Sequence, residues 1–311
     1  MNGAADGVLV IGATGFIGSA VTSSLARRGR RVHALGRSDP ALAFPAGVAH
    51  VRGSIEDTGL LRETLAHCGA IVHAAGATTP GSSARDPAFE ITANLLPLAR
   101  VLECATMFPR RHLVFLSSGG AVYGDAARGA GEATPLRPRS YYGAGKAAAE
   151  ALIHVCTATT DWSATVLRPT NPYGPGQTAA RGFAIVPTLF ERALDGDAFP
   201  VWGDGSSVRD YCYIDDLVEA VLAALEHRPP AGFGVYNVAS GSTASVAELA
   251  AACERASGRR IRLEVQPARA VDVAHVSPDG RAIAAALGWR SRVGLEDGLA
   301  RTWRWFGTAS G

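Results

Sequence analysis

The run Val8–Ile11 passes directly into Gly12-Ala13-Thr14-Gly15-Phe16-Ile17-Gly18, and this junction restricts the fold more tightly than any other feature of the chain. A short apolar, β-branched run suits a strand buried on both faces. Glycines directly after it permit a tight turn, let the backbone approach a pyrophosphate, and allow the next helix to pack close to the sheet. The first turn of that helix offers N–H groups with no intrahelical acceptor and the positive end of the dipole, a good seat for phosphate. Gly12, Thr14, Gly15, Phe16, Ile17 and Gly18 are therefore expected to cradle a dinucleotide. A glycine triplet alone would carry little weight; at the first strand-to-helix turn of an alternating chain it is specific.

The alternation is present. Val32–Leu35, Val48–Arg52, Ala70–Ala74, Leu113–Leu116 and Thr165–Leu167 read as further strands. Ile17–Arg28, Asp57–His67, Phe89–Thr106 and Tyr142–Thr157 read as the helices between them. Strand and helix in turn imply right-handed crossovers and an α/β fold, a Rossmann-type doubly wound parallel sheet. Beyond Arg168-Pro169 the chain becomes richer in Gly, Pro and Asp. Helices are expected at Ile185–Leu194, Asp216–Glu226, Val246–Ser257 and Leu295–Phe306, with strands near Val201 and at Tyr236–Val238. Residues 1–169 are read as the dinucleotide-binding domain, with later segments returning to it, and 170–311 mainly as a smaller C-terminal substrate-binding lobe.

Composition removes several function classes. A formal charge of +2, with no arginine run longer than two, supplies no field for nucleic acid or an anionic membrane. No apolar run approaches the ~18 residues of a membrane span. The five cysteines are odd in number and lack CxxC spacing, which argues for reduced thiols rather than a disulfide frame or a zinc site. The eight histidines form no metal-binding pattern, and no basic region followed by an apolar stretch precedes the first strand, since Asp6 comes just before it. A cytoplasmic protein with no metal, nucleic-acid or membrane partner is expected.

The second strand ends in Gly36-Arg37-Ser38, where a carboxylate would hold the ribose 2′-OH of NAD. Arg37 suits a 2′-phosphate, so NADP(H) is favoured, with NAD the alternative if Arg37 merely stacks on adenine or is solvated while Asp39 reaches in. Further on, Tyr142-Gly-Ala-Gly-Lys146 places a phenol and an ammonium one helical turn apart on one face. A cation beside the phenol lowers its pKa and fits it for proton transfer, and Lys146 could also grip ribose hydroxyls. Ser117-Ser118 follow the strand Leu113–Leu116 and complete the candidate site.

Taken together, these motifs resemble the extended short-chain dehydrogenase/reductases, the group of NAD(P)-dependent nucleotide-sugar epimerases, dehydratases and ketoreductases. The similarity spans nearly the whole chain: GATGFIG, His73-Ala74-Ala75-Gly76, Asn94, Ser117–Gly124, YGAGK, Leu167–Gly176, Gly203–Asp216 and Leu287-Gly288-Trp289. The resemblance implies a nucleoside-diphosphate sugar as substrate, Ser118, Tyr142 and Lys146 as catalytic residues, and further cofactor contacts from Ser54, Ile55, Ala75, Gly76, Asn94 and Pro169. It implies that Asn171 and Arg209 meet the diphosphate, although Arg209 could instead pair with Asp210 or Asp215. Trp202 would stack on the base, and Arg269 and Asp272 would contact the nucleotide; the bland alternatives are a core tryptophan and a solvated arginine. A homodimer is expected through helices near 89–106 and 142–157.

Three departures stand out. Gly36 replaces the usual acid, Ser54 replaces an Asp that contacts adenine, and Gly119 occupies the position where relatives carry the catalytic Ser or Thr, so Ser118 must act from one residue earlier. Gly120 and Ala121 stand where a 4,6-dehydratase carries its extra acid and base, which argues against elimination. Two reactions remain. An NADPH-dependent reductase of an NDP-4-keto-6-deoxyhexose is placed slightly ahead of an NDP-hexose 4-epimerase with tightly bound NAD. A non-catalytic nucleotide sensor is the minor alternative, since such proteins tend to lose the Tyr or Lys kept here.

Overall fold

Every strand of the main sheet is parallel to its neighbours, and that determines where the site lies. The structure, a computed structural model, describes residues 6–40, 43–104, 107–179, 184–230, 232–268 and 273–309. The strands are β1 (Gly7–Ile11), β2 (Val32–Gly36), β3 (Val48–Arg52), β4 (Cys68–His73), β5 (His112–Leu116), β6 (Ser163–Pro169), β7 (Pro172–Tyr173), β8 (Ala198–Trp202), β9 (Val208–Asp210), β10 (Cys212–Tyr213), β11 (Phe233–Val238), β12 (Thr243–Ser245), β13 (Arg262–Gln266) and β14 (His275–Val276). The helices are α1 (Phe16–Arg27), α2 (Thr58–Leu65), α3 (Pro87–Glu90), α4 (Leu96–Glu103), α5 (Tyr141–Thr159), α6 (Ile185–Asp195), α7 (Ile214–Glu226), α8 (Val246–Ser257), α9 (Arg281–Leu287) and α10 (Leu295–Ala309).

The seven-stranded sheet runs β3-β2-β1-β4-β5-β6-β11. From β1 the chain winds outward to β3, then returns to β4 and winds the other way, so the strand order reverses between β1 and β4. Such a reversal opens a crevice at the C-terminal ends of the strands, where nucleotides bind in sheets of this type. This is the Rossmann-type sheet expected from the alternation. Side chains alternate across it: Val8 and Val10 enter one core with Val32, Val114 and Leu167, while Leu9 and Ile11 enter the other with Leu35, Leu113 and Val166. Burial on both faces explains why these strands carry little polar alternation.

Late segments supply both the last sheet strand and the small pairs beyond it. β11 lies against β6, although β7 to β10 intervene in sequence. β7 pairs with β10, β13 with β8, and β9 lies between β12 and β14. Trp289 donates to the Asp216 carbonyl at 2.8 Å, and the Asp216 carboxylate accepts from Ser291, Arg292 and Val293, which fastens the Leu-Gly-Trp segment to α7. No described helix is long and apolar enough to cross a membrane. All five cysteines are buried free thiols.

One expected element differs. The continuous helix anticipated from Phe89 is interrupted by a π-turn over Ile91–Leu95, between α3 and α4. Pro97 sits in the first turn of α4 and has no N–H to continue the ladder. Leu96 donates instead to the Ile91 carbonyl, five residues back. Single π-turns of this kind recur at functional sites, and this one lies beside the candidate site.

Candidate active site

The glycine turn leaves no room for side chains. Gly12 has φ +80°, and a Cβ there would lie 2.7 Å from the Ala75 nitrogen. A Cβ on Gly18 would lie 2.7 Å from the Gly12 carbonyl carbon. Gly15 is the N-cap of α1 and offers no side-chain acceptor to the helix. The first N–H groups of α1 therefore face the crevice uncapped, and the cradle fits a dinucleotide diphosphate. Phe16 and Ile17 fix the turn by packing on the core. Ala75 and Gly76, at the end of β4, form the facing wall, and a Cβ on Gly76 would touch nothing within 4 Å.

At the C-terminal end of β2, Thr14 covers Gly36. A Cβ on residue 36 would lie 2.7 Å from the Thr14 methyl and 2.9 Å from its hydroxyl. The Thr14 and Ser38 hydroxyls are 3.3 Å apart. Arg37 is exposed. Asp39, the alternative acid, pairs with Arg52 at 3.4 Å on the surface. Ser54 turns its hydroxyl to the Glu56 amide at 3.2 Å, and Ile55 is half-buried beside it.

The candidate proton-transfer cluster is held from several elements. Ser140 accepts from the Gly143 amide at 3.1 Å, and Ser83 accepts from the Tyr142 amide at 3.0 Å, so both cap the start of α5. The Ser118 hydroxyl lies by the Tyr142 phenol and favours its ionised form. Lys146 donates to the Leu116 carbonyl at 2.7 Å, with its Nζ 4.8 Å from the Phe115 ring centre and 5.8 Å from that of Tyr142. Burial pulls Lys146 down to about 8 against the opposing charges of Glu90 and Glu150. Burial raises the Tyr142 phenol; Ser118 opposes that rise and Glu90 adds to it. This geometry can take a proton from an alcohol and return it to a carbonyl.

The two serines have different surroundings. Ser117 is buried and donates to Glu150, whereas Ser118 meets Tyr142. A Cβ on Gly119 would lie 2.7 Å from the Arg168 carbonyl oxygen, so no serine fits at that position. Gly119 donates to the Pro169 carbonyl at 3.0 Å, which holds the loop on the end of β6.

Asn171 is tied to the backbone of the segment that carries Arg209. Asn171 donates to the Asp210 carbonyl at 2.8 Å, and Arg209 donates to the Val208 carbonyl at 2.8 Å. The Asp210 carboxylate is taken up by Thr170, Ser240 and Gly241, a structural tie rather than a partner for Arg209. Trp202 ends β8 with 39% of its surface exposed, so it is not a core residue. Arg269 and Asp272 lie outside the described residues.

A family model for NAD-dependent epimerases and dehydratases matches residues 8–239, most of the chain. The chain belongs to the NAD-dependent epimerase/dehydratase family. Among relatives of this family member, a UDP-glucose 4-epimerase of Mycolicibacterium smegmatis is 34% identical over 310 residues, covering 96% of this chain and 97% of the relative. The structure is similar to that of a Thermotoga maritima UDP-glucose 4-epimerase with UDP-glucose: TM-score 0.91, 29% identity, coverage 98% and 100%. It is also similar to a Thermus thermophilus UDP-glucose 4-epimerase in complex with NAD: TM-score 0.89, 31% identity, coverage 97% and 99%. This family member is an extended short-chain dehydrogenase/reductase enzyme, an NAD(P)-dependent nucleotide-sugar ketoreductase or epimerase.

Several residues of the site carry no clear mark in the sequence. Glu90 is buried and bonded to Thr78 and Asn94. Asn94 also accepts from the Ala77 amide at 2.9 Å, so it shapes the loop after β4. Glu150 pairs with Arg168 at 2.5 Å, both almost fully buried, and Arg168 also reaches Tyr123 at 2.6 Å. The repeat Tyr142, Lys146, Glu150, one turn apart each time, is the available signal for Glu150. For Ser83, in an irregular segment before α3, the sequence offers none.

Proposed function

We propose that this enzyme is a nucleoside-diphosphate-hexose 4-epimerase of the UDP-glucose type, working with NAD. The Ser118–Tyr142–Lys146 cluster, in a site whose following residues Gly120 and Ala121 carry no acid or base, supports this reading most directly. Tyr142, as phenolate, takes the proton of the sugar C4 hydroxyl while Ser118 holds the same oxygen. Bound nicotinamide supplies the hydride acceptor and donor. Once the 4-keto sugar has presented its opposite face, Tyr142 returns the proton to the carbonyl oxygen, and no net oxidation remains. Lys146 keeps a positive charge beside the phenolate. The uncapped start of α1, with Gly12, Thr14, Gly15 and Gly18, holds the dinucleotide diphosphate; Asn94 and Pro169 act at its nicotinamide end, and Ser54 and Ile55 at its adenine end. Asn171 and Arg209 hold the sugar's diphosphate, Trp202 stacks on its base, and Arg269 and Asp272 complete the nucleotide contacts.

The sequence alone places the reductase slightly ahead and favours NADP(H). The 4-epimerase relatives and the NAD-bound neighbour reverse that order. One observation still favours the NADPH-dependent ketoreductase: no carboxylate stands at the end of β2, where Gly36 lies under Thr14 and Arg37 is exposed. The nucleotide that survives purification separates the two readings. Retained NAD with interconversion of UDP-glucose and UDP-galactose supports the epimerase; exchangeable NADPH consumed one for one with a 4-keto sugar supports the reductase.

A homodimer belongs to the same proposal. Phe89, Ile91, Leu96, Leu152 and Val155 are exposed apolar residues on α3, the π-turn, α4 and α5, the helices expected to meet a second copy.

A further inference from the structure

Glu90 is a carboxylate only 3% exposed, and its hydrogen-bond partners are neutral. Thr78 donates to one oxygen at 2.5 Å, and Asn94 donates to the other at 3.0 Å. The π-turn places Glu90 and Asn94 side by side above the end of β4. Among the described residues no cation forms a salt bridge with Glu90. The neighbouring helix α5 is shaped to receive it. A Cβ on Gly145 would lie 2.8 Å from the Glu90 Cδ and overlap its Oε1, so the glycine between Tyr142 and Lys146 opens the space the carboxylate fills. Glycine is a poor residue for the interior of a helix, and here it stands in the turn that carries the proton-transfer pair.

A buried carboxylate without a paired cation is costly unless a positive charge acts on it from nearby. The charged groups facing Lys146 are Glu90 from α3 and Glu150 one turn along α5. His73 on β4 is buried and neutral, and Tyr142 lies on the same face of α5. Glu150 is already matched by Arg168. Glu90 is thus the facing carboxylate with no cation of its own except the ammonium at the active centre.

We propose that Glu90 is a positioning residue of the proton-transfer site, a buried counter-charge seated through Gly145 that keeps Lys146 protonated and sets the pH range over which Tyr142 works. The proposal rests on the catalytic reading of Tyr142 and Lys146 above. With Glu90 in place, Lys146 stays cationic despite its burial, and the phenol is held back from ionising too early. Glu90 touches neither substrate nor cofactor in this role; it acts through the two residues of α5.

The test is Glu90→Gln, which keeps size and hydrogen-bonding capacity and removes the charge. Glu90 raises both Lys146 and Tyr142, so its loss lowers both. Both limbs of the kcat–pH profile should move to lower pH, by about one unit, with KM for UDP-glucose little changed. Glu90→Asp should return the profile toward the wild-type position. Rate loss in Glu90→Gln with both limbs unmoved overturns the proposal, because a purely structural carboxylate would give that result. If Glu90→Gln fails to fold, Gly145→Ala displaces the carboxylate from the other side and should produce the same acidward movement; an unmoved profile there also overturns the proposal. The pH dependence of lysine acylation at residue 146, followed by peptide mass spectrometry on the intact enzyme, reads the ammonium without turnover and should shift acidward in Glu90→Gln. An active Tyr142→Phe enzyme would defeat the catalytic reading, while the acylation measurement would still judge Glu90 on its own.

Discussion

The side chain of Thr14 occupies the space above Gly36: a Cβ on residue 36 would lie 2.7 Å from the threonine methyl. The end of β2 therefore holds two hydroxyls, Thr14 and Ser38, where NAD-selective sheets present a carboxylate. Asp39 nearby is paired with Arg52 on the surface, and the exposed Arg37 can approach a 2′-phosphate. The wild-type protein should bind NAD+ and NADP+ within about tenfold of each other, a difference of ~1.4 kcal/mol. Gly36→Asp alone should weaken both through its collision with Thr14, whereas Thr14→Ala with Gly36→Asp should favour NAD+. Calorimetric titration of the three proteins reads this directly, and a wild type that excludes NADP+ by several orders of magnitude would contradict it.

Ser118 lowers the pKa of the Tyr142 phenol, which burial and Glu90 raise. Ser118→Ala should therefore raise it, moving the limb of the kcat profile that reports the phenol to higher pH and cutting kcat about 100-fold. Ser117→Ala should lose stability instead, since that hydroxyl serves Glu150. If the two variants exchanged these effects, the assignment of the serines would be wrong.

Much of the fold is legible in the sequence, and the residues that line the centre of the candidate site are named there too. β1, the glycine turn and α1 are local, so apolar run, glycines and periodicity all agree. The span of α5 follows from its own periodicity and caps. Glu90 is not legible, because its burial depends on Pro97 forcing a π-turn and on Gly145 clearing space from a distant helix. The strands β7, β9, β10, β12 and β14 are very short, β13 is mostly exposed, and α9 carries few periodic positions, so pattern alone misses them. The shift from Gly119 to Ser118 is visible in the sequence, but its cause, the Arg168 carbonyl, is a contact between strands.

The Glu150–Arg168 pair is buried, bidentate and tied to Ser117 and Tyr123. Removing one partner leaves the other charge uncompensated, so Arg168→Met should cost about 3–5 kcal/mol of unfolding free energy. Arg168→Met with Glu150→Leu should recover most of it. Urea unfolding of the two variants tests this; equal losses in single and double variants would show that packing, not charge, dominates.

Two buried histidines make the fold acid-sensitive. Burial lowers His73 to about 3 and His112 to about 4, both below the ordinary value of 6.5. The unfolded chain therefore binds protons first, and the stability these groups carry is complete above about pH 6.5 and drains away as pH falls towards 4 and then 3. Neither ring nitrogen of His73 has a hydrogen-bond partner among the described residues, so His73→Leu should flatten this slope. Unfolding free energies measured from pH 7 downward would show it, and an unchanged slope would shift the cause to other groups.

The most direct test of the proposed reaction is to incubate the purified protein with UDP-glucose and no added nucleotide, following the sugar C4 configuration by proton NMR. Appearance of UDP-galactose up to equilibrium, abolished in Tyr142→Phe while the variant still retains its dinucleotide, is the predicted result. No interconversion by wild-type protein shown to hold NAD, together with one-for-one NADPH consumption on a 4-keto nucleotide sugar, would contradict it.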